Sequence, residues 1–236
     1  MIVLSNFVFE FNKTSALIAI SCMLVLSFDC VSASTISGET PLVLINSNVD
    51  HQYTEEWGVT SEDSIVFERE LASAQKGNIE SEHTVGLMYF NGKGTQANVP
   101  AAIRWFEKAA KKGNANSQND LGAIYKNANG VARDCKVAMY WLQKAVKQKH
   151  PLAYYNMGDM NIDGMCMEPD GTQAVYWYMK AANKNNHIAQ YKLGIMYAMG
   201  DGVLKDLSEA KRYFIESCRG GEPKSCMELK NSTYYR

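Results

Sequence analysis

Between residues 62 and 230, short amphipathic stretches alternate with loops rich in glycine, the pattern of paired helices rather than of strands. The pattern is periodic. Gly86, Gly122, Gly158 and Gly194 lie 36 positions apart, and the columns Ala102/Ala138/Ala174/Ala210, Trp105/Trp141/Trp177/Tyr213 and Phe106/Leu142/Tyr178/Phe214 keep the same step. Ala109, Ala145, Ala181 and Ser217 hold a small residue one turn beyond each aromatic. Asn98, Asp134, Asp170 and Asp206 supply side chains suited to capping a helix N-terminus. Each unit therefore predicts a first helix (near 81 to 90, 116 to 126, 152 to 162 and 188 to 198) and a second (near 99 to 112, 135 to 148, 171 to 184 and 207 to 219). A glycine inside a helix costs about 1 kcal/mol relative to alanine, so the Gly column implies a close helix approach, with the Trp column of the second helix as its expected neighbour. Residues 62 to 76 read as the second helix of a half-repeat at the front, and Ser225 to Lys230 as a first helix without a partner at the rear.

With 24 basic residues against 25 acidic ones, 46% hydrophobic and 21% charged residues, the 236-residue chain has a globular composition and lacks the basic excess of a nucleic-acid binder. Nucleic acid is therefore not an expected partner. The apolar run Ala16 to Leu26 follows Lys13 and precedes Val31-Ser32-Ala33, which reads as a secretory signal sequence cleaved near Ala33, the alternative being a buried helix. The run is shorter than the roughly 20 residues of a membrane span, so membrane insertion is not expected. The division that follows is 1–33 signal peptide, 34–60 irregular segment or linker, 61–230 repeat region and 231–236 tail. Cleavage removes Glu10, Asp29 and Lys13, two acids and one base, and brings the mature chain to net zero. It leaves Cys135, Cys166, Cys218 and Cys226, an even set that suggests disulfides in an oxidising compartment. The histidines are scattered and no Cys-x-x-Cys pair is present, so no metal, redox site or cofactor is expected.

These residues resemble the Sel-like repeat family, relatives of the tetratricopeptide repeats. The resemblance rests on Leu193-Gly194, Tyr197, Gly200-Asp201-Gly202-Val203, Asp206, Ala210 and Tyr213, and on Trp105-Phe106-Glu107-Lys108-Ala109-Ala110. It implies an all-α fold, a right-handed α/α solenoid of about four 36-residue repeats with half-repeat caps, whose first helices line the concave side. Departures are local: Met157 replaces the Leu, Asn161 the Tyr, and the loop Asp163-Gly164-Met165-Cys166 lacks its second glycine. A cysteine-rich branch of the family ties successive helices through cysteines with seven residues between them, and the resemblance carries that element to Cys218 and Cys226. For Cys135 and Cys166, in loops of adjacent repeats, a second bridge and two separate thiols both stay open.

Relative to each column Gly, positions −3, +1 and +4 share a helix face that the core columns do not use. They hold His83, Leu87 and Phe90; Asn119, Ala123 and Lys126; Tyr155, Asp159 and Ile162; Tyr191, Ile195 and Ala198; Tyr154 lies beside them. This strip is the expected binding site for a protein partner, with Tyr155 and Tyr191 standing side by side as its anchors. The implied role is a periplasmic or secreted interaction module: an immunity or adaptor protein for a secreted toxin, or a host or envelope factor. The alternative is a hydrolase acting on a cell-wall or β-lactam substrate, suggested by Ser73-Ala74-Gln75-Lys76. The partner motifs of such enzymes are missing, and no enzymatic activity is expected.

Overall fold

A computed structural model describes residues 61–231; the segments expected at 1–33 and 34–60, and all of the expected 231–236 tail but its first residue, lie outside the described residues.

 Among the described residues there are ten helices and no strand: α1 (Ser61–Gln75), α2 (Ile79–Asn91), α3 (Val99–Lys111), α4 (Ala115–Asn127), α5 (Cys135–Lys147), α6 (Pro151–Asp163), α7 (Gly171–Ala182), α8 (His187–Met199), α9 (Leu207–Arg219) and α10 (Pro223–Asn231). Each helix packs chiefly on its neighbours in the chain, giving four helix pairs, α2/α3 to α8/α9, between the single helices α1 and α10. This is an α/α solenoid.

Helix starts follow from local chemistry. The Asn98, Asp134, Asp170 and Asp206 side chains accept hydrogen bonds from backbone N–H groups two or three residues on, such as Ala101 N to Asn98 Oδ1 at 2.9 Å. A second cap column, spaced equally, opens the first helices: Asn78, Asn114 and Asn186 accept from Ser81, Ser117 and Ala189. His150 stands in the third place and makes no side-chain cap, but Pro151 at the first helical position has no N–H to satisfy. At the far ends of the first helices Gly92, Gly164 and Gly200 take the left-handed conformation, φ +71°, +63° and +79°, which costs glycine little. Ala128 adopts it at +58° in the remaining repeat.

The column glycines are where the helices of a pair touch. A Cβ added at Gly86, Gly158 or Gly194 would lie 2.6 Å from the ring of Phe106, Tyr178 or Phe214, and one at Gly122 would lie 2.5 Å from Leu142 Cγ. The neighbour is thus the Phe106 column, and the expectation that the Trp column fills this role is corrected. One position earlier in each second helix, the Trp column faces the preceding repeat instead. Trp141 is buried with Ala102, Ile103 and Phe106 of α3, and Trp177 packs against Leu142 and Ala145 of α5. Adjacent residues of one helix therefore point to different seams: one closes the pair and the other joins the pairs.

The loop glycines make a third contact. Gly130 approaches Val99 at the start of α3, and Gly202 approaches Gly171 at the start of α7. In the third loop the equivalent position is Cys166 and the helix start is Cys135, and the two form a disulfide with Cα atoms 5.2 Å apart. The glycine missing from that loop is replaced by a covalent form of the same contact. Cys218, in the last turn of α9, is joined to Cys226 in α10, with Cα atoms 4.9 Å apart. Closing so short a loop is worth roughly 2 to 3 kcal/mol on the chain-entropy model, and it holds α10 to the rear repeat.

Because the Gly158 site has no room for a side chain, Gly158→Leu should lower unfolding stability by about 1 to 3 kcal/mol, read as a fall in the urea midpoint at constant slope. An unchanged midpoint would contradict this account of the column.

Candidate functional site

The first-helix face is built on the same contacts that hold each pair together. At the −3 position the rings of His83, Tyr155 and Tyr191 rest on Phe106, Tyr178 and Phe214, with centroids 5.7, 5.9 and 5.9 Å apart. Each −3 ring thus packs on the side chain that occupies the space opposite a glycine. Repeat two departs at both places at once: Asn119 and Leu142 replace the two rings. Buried Asn119 accepts from Asn156 Nδ2 at 2.9 Å and donates to Asp120 at 3.2 Å.

Polar links then cross from one repeat to the next along this face. His83 Nε2 lies 3.0 Å from Asp120 Oδ2, the Asn119–Asn156 bond follows, and Lys126 Nζ lies 2.6 Å from Asp159 Oδ2 and 3.9 Å from Asp163. Lys126 is only 2% exposed, so this ammonium is removed from water and compensated inside the protein. Asp159 is the centre of the network, also accepting from the Tyr178 hydroxyl at 3.3 Å. Burial, the Asp159 charge and a hydrogen bond to that carboxylate push the Tyr155 phenol up to about 12. The Tyr178 phenol is raised further by the same causes, burial first.

The strip expected from sequence is therefore divided. Asn119, Lys126 and Tyr154 are buried: Tyr154 stacks on Trp177 of the paired helix, with centroids 6.1 Å apart. His83, Tyr155, Asp159, Tyr191 and Ile195 are partly buried, while Leu87 and Ile162 reach the surface. Leu87, Phe90 and Ala123 share a cavity of about 230 Å³ with Phe106 and Ile124, and Asp120 and Asn129 add polar lining. Here two repeats create a recess for an apolar group that neither supplies alone.

Sequence reasoning missed Asp120 and Asn156, which complete the polar links. Their signal was available, since each stands one residue beyond the −3 column and 37 positions from its partner. The Ser-x-x-Lys serine has a packing position too. Ser73 occupies the small-residue column 36 positions before Ala109, and its hydroxyl accepts from Ser81 at 2.8 Å. A matching pair, Ser225 and Ser217, stands at the other end of the solenoid at 2.7 Å.

A family model described as Sel1 repeat matches four successive segments, 79–114, 115–150, 151–186 and 187–222. No curated protein matches the chain. A Sel1 repeat protein from Oxalobacter formigenes is similar at 29% identity and a TM-score of 0.61, over 71% of this chain and 49% of that one. A protective antigen of uropathogenic Escherichia coli strains is similar at 26% identity and a TM-score of 0.65, over 77% and 39%. The chain thus spans about half or less of the length of these two relatives. An immunity protein from Pseudomonas aeruginosa shares the fold at 18% identity and a TM-score of 0.51, over 80% and 71%.

The Tyr155 environment predicts an alkaline transition. The folded protein holds this proton more tightly than the unfolded chain, whose phenol titrates near 10, so the stabilisation is complete below pH 10 and is lost as pH rises through about 12. Urea midpoints measured across that window should fall less for Tyr155→Phe than for the parent protein, by an amount on the order of 1 to 3 kcal/mol. Parallel curves for the two proteins would contradict the assignment.

Proposed function

We propose that this chain, which belongs to the Sel1 repeat family, is an exported interaction module that holds a protein partner on its first-helix face. Sel1 repeat proteins mediate protein–protein interactions. The observation that carries the reading for this chain is the recess formed by Leu87, Phe90 and Ala123 between the first two repeats, continued along the face by the exposed edge of Ile162. Apolar recesses with polar rims take up the anchoring side chain of a partner, and the partly buried rings of Tyr155 and Tyr191 add rigid contact area further along.

Two disulfides support an oxidising compartment, the periplasm or the cell exterior, because such bonds persist there and not in the cytosol. Among the described residues no helix is long and apolar enough to cross a membrane. The signal sequence that export calls for falls on residues 1–33, outside the described part. Within this class the role proposed is that of an immunity or adaptor protein for a secreted toxin, or of a host or envelope interaction factor. The immunity proteins of Pseudomonas aeruginosa with the same fold support the first of these by analogy. A hydrolytic role has no comparable support, since the Ser73 hydroxyl belongs to the packing of the front cap.

The test uses the full chain as bait against envelope extract, followed by titration of the purified partner. Leu87→Glu with Ile162→Glu, both at the surface, should leave the helical spectrum unchanged and weaken binding by a few kcal/mol, and Tyr155→Ala with Tyr191→Ala should also weaken it. Full affinity in both variants, with loss of the partner on changing Lys147 and Lys184 of the second-helix face to Ala, would refute the assignment of the site.

A further inference from the structure

The balanced net charge of the chain conceals a separation of charge between faces. From residue 135 to residue 158, and again from 171 to 200, the sequence contains no Asp or Glu. Helices α5 and α7 and the residues that directly follow them carry Lys136, Lys144, Lys147, Lys149, Lys180 and Lys184, and none of these has a carboxylate partner within ion-pair distance among the described residues. The flanking helices differ. In α3 Glu107 pairs with Lys111, and in α9 Glu209 and Glu216 pair with Arg212.

Two exposed aromatic rings stand in the middle of this basic surface. Tyr140 and Tyr176 are 52% and 49% exposed and occupy equivalent positions in adjacent repeats. Each is held edge-on against the tryptophan that follows it, with centroids 4.8 and 4.9 Å apart, so neither ring is free to fold away. Lys144 Nζ lies 4.6 Å from the Tyr140 centroid, and Lys180 Nζ lies 4.8 Å from that of Tyr176. The unit is thus a fixed ring with an ammonium over it, presented twice.

We propose that this second-helix face is a separate docking surface for an acidic segment of a protein partner. The lysines supply charge complementarity, and the fixed tyrosines supply apolar contact at little cost in entropy. Lys144 and Lys180 stand 36 positions apart at equivalent places in successive repeats, so an acidic segment lying across the two repeats meets both. An anionic membrane is the less suitable occupant. The other exposed positions of α5 and α7 hold residues such as Gln143, Thr172 and Gln173, not the Leu, Ile or Phe that an interfacial helix buries among acyl chains.

The surface stands or falls independently of the first-helix site, and the test reads it alone. The probes are a fluorescein-labelled peptide of repeated Glu-Phe-Ala triplets, the same peptide with Gln for Glu, and vesicles of phosphatidylglycerol with phosphatidylcholine. Each is titrated with the full chain. The Glu peptide should bind at least about tenfold more tightly than the Gln peptide and should weaken as salt rises. Lys144→Glu with Lys180→Glu should abolish that preference. Lys147→Glu with Lys184→Glu, which leaves both rings covered, should reduce it several-fold, and Leu87→Glu with Ile162→Glu should retain it. Equal binding of the two peptides, or charge reversal of Lys147 and Lys184 without effect in a folded variant, would overturn the proposal. Vesicle binding without binding of the Glu peptide would replace it with a membrane surface.

Discussion

The constraint on which the rest of the solenoid depends is the distance between the two helices of a pair. The helices approach so closely that there is no room for a Cβ at Gly86, Gly122, Gly158 or Gly194, and the facing residue is a ring in three pairs and Leu142 in the fourth. A glycine in a helix interior is unfavourable by about 1 kcal/mol, and the chain accepts this at four places. What offsets it is burial. Phe106, Leu142, Tyr178 and Phe214 are at most 2% exposed, and full burial of a side chain of this size contributes on the order of 2 to 3 kcal/mol. Once the pair is closed, the residue just before it in the second helix points to the preceding repeat, which fixes where that repeat must lie.

Much of this was legible because the repeat carries it four times. Period, helix positions and one column of caps follow from residues that recur every 36 positions, and the helices lie within two residues of where the pattern puts them at most ends. Which of two adjacent aromatics faces the glycine was not legible. Trp105 and Phe106 differ by about 100° around the helix, and both directions lead to apolar surroundings. The distinction becomes visible only when the seams are seen. The candidate strip shows a similar limit. Periodicity placed Asn119, Lys126 and Tyr154 on or beside one face, but burial there depends on partners off that face: Asn156 and Asp159 of the adjacent repeat cover the first two, and Trp177 of the paired helix covers Tyr154.

The departures from the repeat follow the same contacts. Where the third loop lacks its glycine, Cys166 meets Cys135 at the place where Gly202 meets Gly171 in the next repeat. At the two ends of the described solenoid, the column that holds Ala109, Ala145 and Ala181 in the middle holds Ser73 and Ser217, each hydrogen-bonded to a serine of the next helix. Variation that leaves these contacts intact remains free for the surfaces. The first-helix face carries a polar network around Asp159 and an apolar recess, whereas α5 and α7 carry lysines and tyrosines without acids. One scaffold therefore presents two chemically different faces.

The central claim, that the pair is set by contact between the glycine and the side chain opposite, is tested most directly at Gly122 and Leu142 by a double-mutant cycle. Unfolding free energies are measured for Gly122→Ala, Leu142→Ala and the two together. A Cβ at position 122 meets Leu142 Cγ and Cδ2, so removing those atoms should make the added methyl tolerable. The double variant is therefore predicted to be more stable than the sum of the single changes, with a coupling of about 1 kcal/mol or more. Additive effects within about 0.3 kcal/mol would mean that the two positions do not compete for the same space, and would contradict the account.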